Sequence, residues 1–88
     1  MTMNENDGQI CCASYRVGDM MVNARLLTRQ SGLQMHYYIE MWHADERAEY
    51  ELGSDFMRAR ELFLDAVFGG VTVCTLQDVI EDRMRTHV

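Results

Sequence analysis

The chain has 88 residues, of which 48% are hydrophobic and 25% charged, and its formal net charge is −6 at pH 7. This length and composition fit one domain with a modest core, and they argue against disorder of the whole chain. The acidic balance also argues against nucleic acid or an anionic membrane surface as the partner, because both attract clustered positive charge.

The first eight residues are polar and acidic and end in Gly8. They predict a disordered N-terminal tail, 1–8, ahead of a single domain, 9–88. The tail lacks the basic and apolar regions of a secretory signal peptide, and no apolar run reaches the ~18 residues that a membrane-spanning helix needs. The three cysteines, of which Cys11 and Cys12 are adjacent, do not fit a secreted disulfide framework. We therefore expect a cytoplasmic location.

The first two thirds of the chain alternate between hydrophobic and polar residues, which is typical of strands. Four strands are predicted, at 10–17, 20–29, 33–43 and 48–52. Turn-forming residues separate them: Gly18-Asp19, Ser31-Gly32 and a four-residue loop at 44–47. Consecutive strands joined by short turns form an antiparallel meander.

The three predicted turns also define a register. Val17 then lies opposite Met20, Leu26 opposite Tyr37, and Ile39 opposite Leu52. Because side chains alternate with period two, all three hairpins place one hydrophobic set on the same face of the sheet. This predicted inner face consists of Cys11, Ala13, Tyr15, Val17, Met20, Val22, Ala24, Leu26, Tyr37, Ile39, Met41, Tyr50 and Leu52.

The opposite face, here called the outer face, is less polar than the solvated side of a half-buried sheet usually is. Its predicted neighbours across strands are Arg16–Met21, Asn23–Glu40, Arg25–Tyr38, Leu27–His36 and Met21–Trp42. Trp, Tyr, Met and Arg are enriched in protein interfaces. The predicted protein-contact residues are Met21, Arg25, Leu27, Tyr38 and Trp42. The alternative is that the second helix or the tail covers this face within the monomer.

The last third of the chain changes to helical spacing. Ser54 or Asp55 can cap a first helix, whose hydrophobic residues recur every three or four positions before Gly69-Gly70 ends it. Thr75 and Asp78 resemble a capping box at the start of a second helix. Leu76, Val79, Ile80 and Met84 lie on one side of this helix. The predicted fold class is α+β, ordered β-β-β-β-α-α, with one sheet face covered by helix.

No pattern of catalytic or ligand-binding residues emerges. The cysteines and histidines lack the spacing of a zinc site. Cys74 precedes a helix, where a thiolate can be stabilised, but no histidine base is associated with it in the sequence. Gly69-Gly70 lacks the ending of a phosphate-binding loop, and the acidic residues are typical of solvated faces. We therefore predict no catalytic residue, no metal ligand and no cofactor.

The segment from Gly70 to Asp82, Gly-Val-Thr-Val-Cys-Thr-Leu-Gln-Asp-Val-Ile-Glu-Asp, resembles the ending of a family of short uncharacterised proteins from clostridia and related Firmicutes. Members of that family end in Val-Thr/Ser-Pro-x-x-Leu-x-Asp-Val-Ile-Glu-Asp, and Val73 stands here in place of the proline. The family is a domain of unknown function. The resemblance implies strands followed by a helix and a bacterial cytoplasmic setting, and it carries no catalytic residues over.

Three functions are compatible with this sequence. The first is a non-enzymatic interaction or regulatory module that binds protein, either a second copy in a homodimer or another partner, through the outer face. The second is a small-molecule or metal-binding domain that uses the cysteines and histidines. The third is a small enzyme. The absence of catalytic motifs favours the first.

Overall fold

The element order follows the predicted meander and helices. The computed structural model describes residues 7–86; residues 1–6, which make up most of the predicted tail, lie outside the described part. The four strands are β1 (Asp7–Val17), β2 (Met20–Ser31), β3 (Gln34–His43) and β4 (Glu46–Gly53). They precede α1 (Phe56–Phe68), a short 3-10 turn (Val73–Thr75) and α2 (Leu76–Thr86). The predicted α+β fold class is confirmed, and β1 begins three residues earlier than predicted.

The strands lie in chain order in one antiparallel sheet, and both helices pack on its inner face. Residues of α1 and α2, among them Leu62 and Ile80, form one buried cluster with Leu26 and Ile39 of the sheet. Every predicted inner-face residue belongs to this cluster or packs against it. The alternative in which the second helix covers the outer face is therefore wrong.

The β1–β2 register is confirmed, with Val17 opposite Met20. The predicted β2–β3 register is wrong by two residues, since Leu26 lies opposite Ile39 rather than Tyr37. The turn falls at Gly32-Leu33, one residue later than predicted, and Gly32 has a φ of +65°. Two-residue hairpin turns of this kind need a positive φ at their first central residue, and glycine adopts it without strain.

The β3–β4 connection is also shorter than predicted. A two-residue turn, Ala44-Asp45, replaces the predicted four-residue loop, and Ala44 takes a positive φ of 52°. Strand β4 therefore begins at Glu46, and Ile39 lies opposite Tyr50 rather than Leu52. Because each turn error moves the partner by two residues, the side chains stay on their predicted faces.

The ends of α1 form as predicted. The Asp55 carboxylate accepts hydrogen bonds from the backbone N–H groups of Met57 and Arg58, at 3.1 and 3.3 Å. At the other end Gly70 has a φ of +66°, and the Val71 N–H donates to the Ala66 carbonyl at 3.1 Å. This is the Schellman arrangement, in which a left-handed glycine ends a helix.

The start of α2 differs from the prediction. The capping partners are Thr72 and Thr75, not Thr75 and Asp78. The Thr72 N–H donates to the Thr75 hydroxyl oxygen at 3.3 Å, so the two threonines organise the 3-10 turn ahead of the helix. Asp78 lies in the first turn of α2, where a carboxylate interacts favourably with the helix dipole.

Tyr15 connects the sheet to the link between the helices. Its O–H donates to the backbone carbonyl of Val71 at 2.6 Å and lies 3.7 Å from the sulfur of Met41. Burial raises the pKa of Tyr15 to about 12 from its ordinary value of 10.0. This hydroxyl holds β1 against the segment that positions α2.

We expect Tyr15→Phe to lower the free energy of unfolding by about 1 kcal/mol, the usual net contribution of one hydrogen bond. The loss should also depend on pH. The unfolded hydroxyl ionises near pH 10 and the folded one near pH 12, so wild-type stability should fall as pH rises between these values. Tyr15→Phe should show a shallower fall, measured by denaturant unfolding from pH 8 to 12. Equal slopes for the two proteins would contradict this role.

Candidate protein-contact surface

Neither α1 nor α2 lies on the outer face, which consists of side chains in rows across the strands. The observed register places these rows in order from the β1–β2 turn: Arg16–Met21, Ser14–Asn23–Trp42–Arg47, Cys12–Arg25–Glu40–Glu49, Gln9–Leu27–Tyr38–Glu51 and Arg29–His36. Within each row neighbouring side chains project from the same side of adjacent strands and are close enough to interact.

Glu40 lies at the centre of the outer face and is only 4% exposed, although both helices pack on the opposite face. Its carboxylate contacts Arg25 Nε at 2.5 Å and an Arg47 guanidinium nitrogen at 3.2 Å. The Arg25 guanidinium carbon also lies 5.6 Å from the centre of the Trp42 ring, within cation–π range. The two arginines therefore compensate a carboxylate that these neighbouring side chains shield from water.

A second group forms around Tyr38. The two terminal guanidinium nitrogens of Arg29 lie 3.0 and 2.8 Å from the two carboxylate oxygens of Glu49, a bidentate pair that spans β2 and β4. The Arg29 guanidinium carbon also lies 4.7 Å from the centre of the Tyr38 ring. Leu27, opposite Tyr38, is only 7% exposed. The aromatic rings are thus partly covered by arginines whose positions the glutamates set.

A third polar pair completes the β4 side of the outer face. His36 Nδ1 lies 2.6 Å from a carboxylate oxygen of Glu51. Glu51 is the neighbour of Tyr38 on β4. The charged side chains of these pairs surround Trp42 and Tyr38, which are half-buried.

The five predicted contact residues share the outer face, but their neighbours differ from those predicted. Arg25 lies opposite Glu40 rather than Tyr38, and the cation–π partner of Tyr38 is Arg29. Met21 does not lie opposite Trp42 as predicted. It pairs with Arg16 near the β1–β2 turn and is 46% exposed.

The predicted site omitted Glu40, Arg29 and Glu49, which organise the surface. One signal in the sequence could have revealed them. Gly18 occupies the first position of the β1–β2 turn, and placing Gly32 in the same position of the next turn brings Arg25 opposite Glu40.

The cysteines and histidines are dispersed. Cys11 packs against the core, where burial and the neighbouring Cys12 raise the pKa of its thiol, partly offset by Arg60. Cys12 and Cys74 are exposed. Among residues 7–86, no group of three or more His, Cys, Asp or Glu side chains is placed to hold a metal ion.

Neither helix of the described chain is long and apolar enough to cross a membrane. Comparison with models of protein families, with curated proteins and with solved structures yields no match.

Proposed function

We propose that this chain is a non-enzymatic interaction module that binds protein through its outer face. The observation that carries the proposal is the pair of arginines, Arg25 and Arg29, held by glutamates against Trp42 and Tyr38 on a sheet face without a helix. Trp, Tyr and Arg are the residue types that contribute most to binding at protein interfaces.

The fixed conformations of Arg25 and Arg29 support the proposal independently of their residue type. Fixing a long side chain costs about 0.5–1.5 kcal/mol when a complex forms. Arg29 is already held by two hydrogen bonds to Glu49, and Arg25 is held by Glu40. These side chains are therefore already ordered in the monomer, so that little conformational entropy remains to be lost when a partner binds.

We also propose a cytoplasmic location, since the three cysteines are free thiols, the state that a reducing compartment maintains. The charge of the outer face separates a protein partner from nucleic acid. Glu40, Glu49 and Glu51 lie among its arginines and would repel a phosphate backbone.

Site-specific photo-cross-linking in the cell of origin tests the proposal. A photoreactive phenylalanine at Met21 should give a cross-linked protein product, because Met21 is exposed on the outer face. The matched control is the same probe at Met57, which is 65% exposed on α1, and it should give no such product. Adding Trp42→Ala should reduce the Met21 product by roughly tenfold, the effect of truncating a binding hot spot.

The melting temperature of each variant must remain near that of the parent for this reading to hold. Arg25→Lys is a second variant, which keeps a positive charge beside the buried Glu40 and removes the planar guanidinium from the Trp42 ring. No product from Met21, or equal products from Met21 and Met57, would contradict the proposal.

A further inference from the structure

We infer that the partner of the outer face is a second copy of this chain, stacked face to face about a two-fold axis that runs along the strands. The inference rests on the proposed function and names its partner. It follows from how charge is distributed between the two halves of the face.

Charge on the outer face is divided by strand. The register places three arginines on the outer face of β1 and β2, Arg16, Arg25 and Arg29, with Asp7 opposite Arg29 at the start of β1. Those of β3 and β4 include three glutamates and one arginine, a net charge of −2 with His36 neutral: Glu40, Glu49, Glu51 and Arg47. One half of the face is positive and the other negative.

A two-fold axis along the strands matches these halves. Rotation about it places β1 over β4 of the second copy, and β2 over its β3. The positive half of each copy then covers the negative half of the other, twice in the dimer. A two-fold axis across the strands would instead stack β2 on β2 and β3 on β3, so that each half of the face lies over the half with the same sign of charge, which is unfavourable.

The rows give a finer match for the same axis. Rotation about the strand direction places each row over the same row of the second copy. The order of the strands within the row is reversed. Leu27 then faces the partner's Tyr38, and Tyr38 faces the partner's Leu27. Asn23 faces the partner's Trp42 two rows away, and Arg25 faces the partner's Glu40 in the row between. The apolar contacts therefore lie on either side of the central charged row, and the exposed carboxylates of β4 lie along the rim.

The area of the face suits a weak dimer. Four strands about 4.8 Å apart, at about 3.3 Å per residue, give the face roughly 600 Å² in projection. Two copies would bury roughly 1,200 Å², the lower end of the range for specific complexes. We therefore expect a dimer that dissociates on dilution.

Cross-linking between opposite edges of the sheet tests the geometry. Cys12 on β1 and Glu49 on β4 share one row, three strand spacings or roughly 14 Å apart within one copy. In the proposed dimer they face each other between sheets about 10 Å apart. Glu49→Cys, with Cys11 and Cys74 replaced by serine, should give a covalent dimer with a short bismaleimide.

Two controls identify the cross-linked thiols. Adding Cys12→Ser should abolish the covalent dimer, which excludes a link between the two introduced cysteines. Moving the introduced cysteine to Gln77, exposed on α2, should also give none. A covalent dimer that persists without Cys12, or one that forms equally from Gln77, would overturn the proposed axis.

Charge reversal provides a second measurement. Arg16→Glu with Arg29→Glu makes the β1–β2 half negative and leaves Arg25 in place beside the buried Glu40. Glu49→Arg with Glu51→Arg makes the β3–β4 half positive. Each double variant alone should be monomeric by sedimentation at concentrations where wild type is dimeric, with its circular dichroism retained. An equimolar mixture should regain dimer mass, because both contacts of the mixed pair join opposite charges. A mixture that stays monomeric would overturn the inference.

The outcomes separate this inference from the proposed function. A monomeric wild type whose Met21 probe cross-links a foreign protein would refute the homodimer and keep the interaction module. A wild type that neither dimerises nor cross-links through Met21 would refute both.

Discussion

Ile80→Asp is expected to lower the free energy of unfolding by about 3–5 kcal/mol, the cost of leaving an uncompensated charge in a core. Ile80 is 1% exposed and belongs to the cluster that joins α2 to the sheet. A loss of this size is a large part of the total stability of a small domain. Urea unfolding followed by circular dichroism would measure it, or would find the variant already unfolded without denaturant.

Two positions on the same helix serve as controls. Val79 is only half-buried, so Val79→Asp should cost less than Ile80→Asp, although their hydrophobic spacing in the sequence treats them alike. Asp82 is exposed, and Asp82→Asn should change stability by less than about 0.5 kcal/mol. If Ile80→Asp melted like the wild type, α2 would not be packed against the sheet.

Leu26→Ala is expected to cost about 3 kcal/mol, because it opens a cavity between the sheet and the helices. Leu26 is fully buried in the core cluster. Its neighbour Leu27 points to the outer face, where only surrounding side chains cover it. Those side chains or water can fill the space that Leu27→Ala leaves. Leu27→Ala should therefore cost about 1–2 kcal/mol at concentrations where the protein is monomeric.

The pair Leu26→Ala and Leu27→Ala is matched in residue type, strand and exposure, since Leu27 is itself only 7% exposed. Thermal melts at several protein concentrations separate the two roles. The loss at Leu26 should not depend on concentration, whereas the loss at Leu27 should grow as concentration rises and the wild type dimerises. Equal losses at both positions would show that the outer face is packed as tightly as the inner one.

These predictions assign stability and binding to opposite faces of one sheet. The inner face is occupied by the helices, and its contacts maintain the fold. The outer face owes its order to arginine–glutamate pairs, of which the solvent-exposed Arg29–Glu49 pair contributes little to stability. Under the proposed function, those pairs instead hold Trp42 and Tyr38 ready for a partner.

Which residues share a face could be predicted because only the parity of the position decides it. Val22, Leu26 and Ile39 stay on the inner face whether a turn lies one residue earlier or later. The partner across the strand is more sensitive, because moving a two-residue turn by one residue changes the pairing by two. The turn predicted at Ser31-Gly32 therefore pairs Arg25 with Tyr38, whereas the structure pairs it with Glu40.

The turns themselves were predictable only where glycine marks them. Gly18 and Gly32 each stand first in a turn and have positive φ, so a consistent reading of glycine position gives the correct β2–β3 register. Ala44 adopts the same conformation without this signal. The hairpin it joins forms because the flanking strands pair and pack, and this gain outweighs the cost of a left-handed alanine.

The amino-acid sequence alone determined the order of the elements, the faces of the sheet, and the end of α1 at Gly69-Gly70. Each of these depends on local periodicity or on the conformation of single residues. The tertiary structure decided that α2 joins α1 on the inner face, so that neither helix covers the outer face. It also decided which arginine meets which glutamate. Both depend on contacts between residues far apart in the chain, such as Arg29 with Glu49 and Tyr50 with Glu81, which no local pattern encodes.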